Sequence, residues 1–119
     1  ETEELFYQLE GEITVAIQEN GERKEMKLSA GDMFLLPAKV PHSPIRSKDS
    51  VGLVIESKRA GKGFTDGLLW FCDNCNNKLH EVYFELNNIE TDFLEHFTAF
   101  NTSKKLKTCK NCGDVLKTV

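Results

Sequence analysis

The sequence lacks any apolar run approaching the roughly 20 residues that a membrane-spanning helix requires. It lacks a visible signal-peptide pattern, an internal repeat and a low-complexity stretch. It also lacks an excess of positive charge: 19 acidic residues stand against 15 basic ones, for a net charge of −4. A domain of that sign has no broad positive field to attract phosphate backbones, so nucleic acid is a poor partner. Lys104, Lys105, Lys107 and Lys110 form a local basic patch, which reads as a solvated face. No cysteine is left over, because the four occur as Cys72-x-x-Cys75 and Cys109-x-x-Cys112. Two tight thiol pairs without a secretory signal point to a metal site in a reducing compartment, hence a cytoplasmic chain, and not to a disulfide framework.

What is present is ordinary globular material. A chain of 119 residues, 39% hydrophobic and 29% charged, buries roughly two-thirds of its unfolded surface and needs no disulfides to hold a core. The first residue is Glu1, and the sequence opens inside an apparent strand, Leu5 to Leu9. An N-terminal part is therefore expected to be missing. Ile13, Val15 and Ile17 alternate with Thr14, Ala16 and Gln18, the period of a strand with one buried face. Asn20-Gly21 is a strong hairpin signal. It predicts a return strand from Arg23 to Leu28, with Met26 and Leu28 facing inward. Further strands are expected at Met33–Leu36, from His42 to Arg46 and from Val51 to Ser57, with turns at Ala30–Asp32 and Ser47–Ser50. Short strands at regular spacing imply a sandwich or barrel.

Arg59 to Asp66, with Gly61, Gly63 and Gly67 in and beside it, reads as a linker. Beyond it, Val82 to Leu86 is a predicted strand. Thr91 is a candidate cap for one helix from Asp92 to about Phe100, with Phe93, Leu94, Phe97 and Phe100 on one face. The expected division is a barrel core over 1–62 and a cysteine-bearing segment over 63–119.

Each cysteine pair places two thiolates around a tight turn, and two such turns facing each other make a closed tetrahedral site. The 33 residues between the pairs exceed the commonest zinc-ribbon spacing, so the intervening strand and helix must bring them together. Four protein ligands leave no open position, so the site is structural; zinc and rubredoxin-like iron both suit it.

Two further segments carry chemistry. Glu4 is followed seven positions later by Gly11. Gly31-Asp32-Met33-Phe34-Leu35-Leu36-Pro37 leads to Pro41-His42. Alone, Glu4 is a solvated terminal charge and His42 a loop residue. Together they resemble the two motifs of the cupin family, which implies a mainly β, double-stranded β-helix (jelly-roll) barrel. That resemblance implies Glu4 as the carboxylate and His42 as one imidazole of a facial Fe(II) triad with open positions. The third ligand, another His, is expected upstream of Glu1.

The resemblance is closer still over Glu3–Gly11, over Phe34–Arg46 with its His42-Ser43-Pro44-Ile45-Arg46 element, and over Val51–Glu56. These stretches resemble 3-hydroxyanthranilate 3,4-dioxygenase, and the cysteine pairs match its short bacterial and fungal form. The resemblance implies an extradiol-type ring cleavage that converts a small aromatic amino-hydroxy acid and O2 to 2-amino-3-carboxymuconate semialdehyde, a quinolinate and NAD precursor on the kynurenine route of tryptophan degradation. It implies that Arg46 binds the substrate carboxylate, together with a second Arg upstream of the first His. It implies that Glu56 accepts a hydrogen bond from the amine or phenol and helps remove a proton. Without it, Arg46 and Glu56 read as surface strand charges. Phe6, Phe34 and Leu36 stand where they either line the barrel or fill its core. His80 and His96 match no motif and read as surface or packing residues.

Three other classes compete. One is a non-catalytic cupin that binds a small acid and carries a structural metal knuckle. Another is a zinc-ribbon interaction module, and the last is a cupin sugar isomerase, which the His-Ser-Pro-x-Arg element disfavours. A homodimer is expected, since cupins commonly pair through strand edges.

Overall fold

A computed structural model describes residues 2–58 and 61–117. The chain divides into two compact units, Glu1–Arg59 and Ala60–Val119. Glu1 and the first residue of the expected linker, Arg59, lie outside the described residues.

The first unit is built from six antiparallel strands: β1 (Glu4–Glu10), β2 (Ile13–Glu19), β3 (Glu22–Leu28), β4 (Met33–Leu36), β5 (His42–Arg46) and β6 (Val51–Glu56). They form two three-stranded sheets, ordered β4-β1-β6 and β3-β2-β5. Asn20 and Gly21 both take positive φ, 53° and 76°, which closes the β2–β3 hairpin with the twist its strands need. The alternation in β2 becomes burial: Ile13, Val15 and Ile17 pack with Leu28 of β3 against Phe6 and Leu36 of the other sheet. One core shared by residues of both sheets makes them the two layers of a jelly roll. Each such side chain contributes about 1.5–3 kcal/mol on burial. Phe34 and Val40 pack at its margin.

Met26 departs from expectation. It pairs with Val15 yet stays exposed, because β3 is an edge strand with no further neighbour in its sheet. The opposite face of β4-β1-β6 is apolar and open: Met33, Leu35, Leu53 and Ile55 are all exposed.

The second unit contains β7 (Asp66–Phe71), β8 (Lys78–Phe84), α1 (Asp92–Asn101) and α2 (Lys104–Lys107). Its core is aromatic. Trp70 of β7 stacks on Phe100 of α1 at 4.3 Å between centroids, with His80 of β8 stacked on both. Phe84 stacks on His96 at 4.3 Å.

Five expectations change in this unit. The second strand starts at Lys78 rather than Val82, held by pairing with β7. Gly67, expected beside a linker, lies inside β7 beneath the ring of Tyr83. There are two helices among the described residues, not one. Leu94 is exposed, and His96 takes the inward place expected of it, stacked on Phe84. Thr91 occupies the N-cap position of α1 but makes no side-chain cap bond. Asp92 Oδ2 instead accepts from the backbone N–H groups of Asn87 and Asn88, both at 2.9 Å.

Candidate metal centres

In the first unit, period-two strand geometry sends Glu4, Phe6 and Gln8 of β1 to the face that holds the core. The β1–β6 register puts Glu56 directly across from Glu4, and Gly52 across from Gln8. On β5, His42 pairs with Ile17 and Arg46 with Ile13, two inward residues. All four sequence-predicted residues of this unit therefore belong to the inner faces of the two sheets.

They do not form one cluster. His42 Nε2 lies 3.3 Å from Glu4 Oε1, with the two side chains 27% and 17% exposed. The other ring nitrogen, Nδ1, is 2.9 Å from the carbonyl oxygen of Val40. A carbonyl only accepts, so Nδ1 carries a proton; with a metal ion between His42 and Glu4, Nε2 would turn its lone pair to the ion, the tautomer of a metal ligand. Two donors of one octahedral ion, each about 2.1 Å from it, stand about 3 Å apart. The Glu4–His42 pair fits as two ligands of a single ion. Glu56, across from Glu4, adds a second carboxylate to that row, and like charges directly opposite are unfavourable unless a cation lies near.

Arg46 stands at the other end of β5. Its guanidinium passes over Gly52, where an added Cβ would meet Gln8 Oε1 at 2.6 Å and Arg46 Nη1 at 3.2 Å. Two residues missed by sequence reasoning thus shape this end of the face. Gln8 is 1% exposed and anchored by its amide to the Glu10 carbonyl at 2.7 Å, and Gly52 leaves room for both side chains. The available signal was a polar Gln at an inward position of an otherwise apolar strand. A shallow recess bordered by the outward side chains of Leu5, Leu35 and Ile55 opens on the opposite side of the sheet.

The second unit holds the other centre. The four Sγ atoms of Cys72, Cys75, Cys109 and Cys112 lie within 4.8 Å of one another. Cys72–Cys112 and Cys75–Cys109 are each 3.6 Å apart. That is too long for a disulfide and close to the roughly 3.8 Å edge of a tetrahedron with metal–sulfur bonds of 2.3 Å. The site fits a four-thiolate metal ion.

The thiols are unequal. The backbone N–H of Cys112, burial opposing it, and then the N–H of Asn111 bring Cys109 down to about 6. Cys112 is lowered first by the Asn74 side chain and then by the Asp114 N–H. Cys72 also receives an N–H, from Cys75, but burial and its thiol neighbours hold it up at about 11. A cation entering such a cluster displaces the thiol protons.

Two facing antiparallel sheets with a carboxylate–imidazole pair on the inner face define a cupin. The family model for 3-hydroxyanthranilic acid dioxygenase matches residues 1–101, stopping before the second cysteine pair. The 3-hydroxyanthranilate 3,4-dioxygenase of Xanthomonas campestris pv. campestris (strain B100) is 50% identical over 112 residues, 94% of this chain. That of Bacillus thuringiensis (strain Al Hakam) is 44% identical over 116 residues, 97% of this chain. This chain belongs to the 3-hydroxyanthranilic acid dioxygenase family. It spans 63% of the length of the first relative and 64% of the second.

Proposed function

We propose that this chain carries part of the active site of a ring-cleaving dioxygenase acting on 3-hydroxyanthranilate, with Glu4 and His42 as two ligands of an Fe(II) ion. The observation that carries the reading is the Glu4–His42 pair, 3.3 Å apart on the inner face of a cupin. A second imidazole, as the third ligand, completes the facial set in this reading. Bound iron supplies the route by which O2 reacts with the aromatic ring. The chain's own residues position and deprotonate. Val40 holds the His42 tautomer. Arg46 offers a planar guanidinium to the ring carboxylate, with Gln8 fixing its place. Glu56 accepts from the amine or phenol and takes a proton as the substrate binds. The product, 2-amino-3-carboxymuconate semialdehyde, leads to quinolinate and NAD.

The same reading includes iron or zinc in the cysteine site, a boundary between barrel and cysteine segment near residue 62, a cytoplasmic location that suits reduced thiols, and a homodimer. The exposed apolar face of β4-β1-β6 gives a second copy surface to bury. No feature of the geometry favours a non-catalytic acid-binding cupin.

The test loads Fe(II) anaerobically into the chain, alone and joined to the part of the Xanthomonas relative that it does not span. Substrate is then added and O2 admitted. The joined form is expected to take up oxygen and to form the conjugated semialdehyde. His42→Ala is expected to abolish both. Arg46→Ala is expected to lower kcat/KM by about 10- to 100-fold, the worth of a lost charge-assisted hydrogen bond. An iron-loaded joined protein that consumes no oxygen would sink the reading.

A further inference from the structure

The two cysteine turns are copies of one another in more than their ligands. Cys72 N donates to Asn77 O at 2.8 Å, and Cys109 N to Asp114 O at 2.7 Å. Asn76 N donates to Cys72 O, and Gly113 N to Cys109 O, both at 2.9 Å. Asn76 and Gly113 both take positive φ, 62° and 79°. Residues 72–77 thus superpose in role on 109–114, as expected of two knuckles related by an approximate two-fold axis through the cluster.

That equivalence pairs Asn74 with Asn111, each placed just before the second cysteine of its knuckle. Nδ2 of Asn111 donates to Cys75 Sγ at 3.5 Å; the knuckle equivalence puts the Asn74 amide in the matching place beside Cys112 Sγ, where it is the first cause holding that thiol down. Each amide crosses from its own knuckle to the second cysteine of the other. The recipients are the less protected sulfurs. Cys72 and Cys109 are buried, whereas Cys75 is half-buried and Cys112 exposed. The buried sulfurs draw on backbone N–H groups within their own turns; the outward ones draw on the asparagine amides, Cys112 on the Asp114 N–H as well.

We infer that Asn74 and Asn111 form a reciprocal pair of donors that hold the outward cysteines as metal ligands and slow loss of the ion. The inference rests on the four-thiolate reading of the cluster. A metal leaves a closed thiolate site when a sulfur is protonated or displaced, and solvent reaches Cys75 and Cys112 first. An N–H aimed at each sulfur withdraws charge from it, makes it less basic and fixes its direction. Asn74 and Asn111 are positioning residues: they act on the ion only through sulfur.

The probe is Co(II) loaded into the chain, with Asn74→Ala, Asn111→Ala and the double variant compared with the parent. Release to a chelator is expected to be about tenfold or more faster from the double variant, within the range typical of lost outer donors, and intermediate from the single ones. The sulfur-to-cobalt charge-transfer bands are expected to move to lower energy, because sulfurs without donors are richer in charge. Near-ultraviolet dichroism of Trp70 is expected to stay as in the parent, and Asn→Gln is expected to restore part of the slow release. If the double variant folds poorly, the two single variants carry the same test. Parent-like release and unshifted bands in the single variants would overturn the inference while leaving the cluster intact. A parent that gives no sulfur-to-cobalt bands would overturn the four-thiolate reading, and this inference with it.

Discussion

The two units of this chain build sites by opposite means. In the first, the proposed chemistry is spread over strand faces. Glu4, His42, Arg46 and Glu56 come from three strands of two sheets, and Glu4 and His42 meet across the two sheets at 3.3 Å. In the second, all four ligands sit in or beside turns whose backbone hydrogen bonds aim them at one point. A site made of strand faces inherits its geometry from the whole barrel. A site made of turns needs only its turns and something to hold them together, here the aromatic stack of Trp70, His80 and Phe100.

The sharpest way to break that comparison is Cys72→Ser. A structural four-thiolate ion contributes on the order of 10 kcal/mol to the fold it holds, far more than the net stability of a small unit. The variant is expected to lose one metal equivalent and the Trp70 near-ultraviolet signal while the amide pattern of β1 to β6 persists. Metal analysis and NMR spectra of the same sample check it. Unchanged metal content would mean that the four sulfurs are not a site.

The same contrast explains what could be read in advance. Cys-x-x-Cys is legible because the ligands and the turn that aims them occupy the same few residues. The β2–β3 hairpin is legible for the same reason: Asn20-Gly21 is both the signal and the cause. Glu4 and His42 came forward only through the resemblance of two motifs, since nothing local distinguishes them from solvated residues. What escaped was decided by tertiary contacts. The start of β8 carries Lys78, His80 and Glu81, a polar run that forms a strand because β7 pairs with it and Trp70 stacks on His80. Leu94 looked inward on a helical wheel that left out His96, whose ring packs on Phe84. Gln8 and Gly52 gain their meaning from the register of β1 with β6.

Gly52→Ala applies an intermediate stress, to the first unit alone. The new methyl would lie 2.6 Å from Gln8 Oε1 and 3.2 Å from Arg46 Nη1. Gln8 is buried and tied at its amide, so it cannot simply swing away. Overpacking of this kind costs about 1–3 kcal/mol. Denaturant unfolding followed through β1 to β6 is expected to show that loss, with metal bound by the cysteines unchanged. Under the proposed role of Arg46, affinity for 3-hydroxyanthranilate falls with the displaced guanidinium. A variant as stable as the parent would mean that the Gln8–Arg46 arrangement yields without cost and does not fix Arg46.

The smallest effect is expected at the start of α1, within the second unit. Asp92 accepts from the N–H groups of Asn88 and Asn87, and these bonds hold its carboxyl below the usual value. A carboxylate whose folded value is depressed contributes stability above its unfolded value and loses it as the pH falls through the folded one. Asp92→Ala therefore removes a contribution that is present at neutral pH and absent in strong acid. These bonds lie at the surface, so the change is expected to be local: faster exchange of the Asn87 and Asn88 amides at neutral pH, with slight effect on the aromatic stack. A parent and variant with equal exchange at these two amides would mean that the Asp92 carboxylate does not hold the segment before α1. A larger effect, reaching the cysteine cluster, would show that the helix start supports the metal turns and that the second unit is less a matter of turns alone.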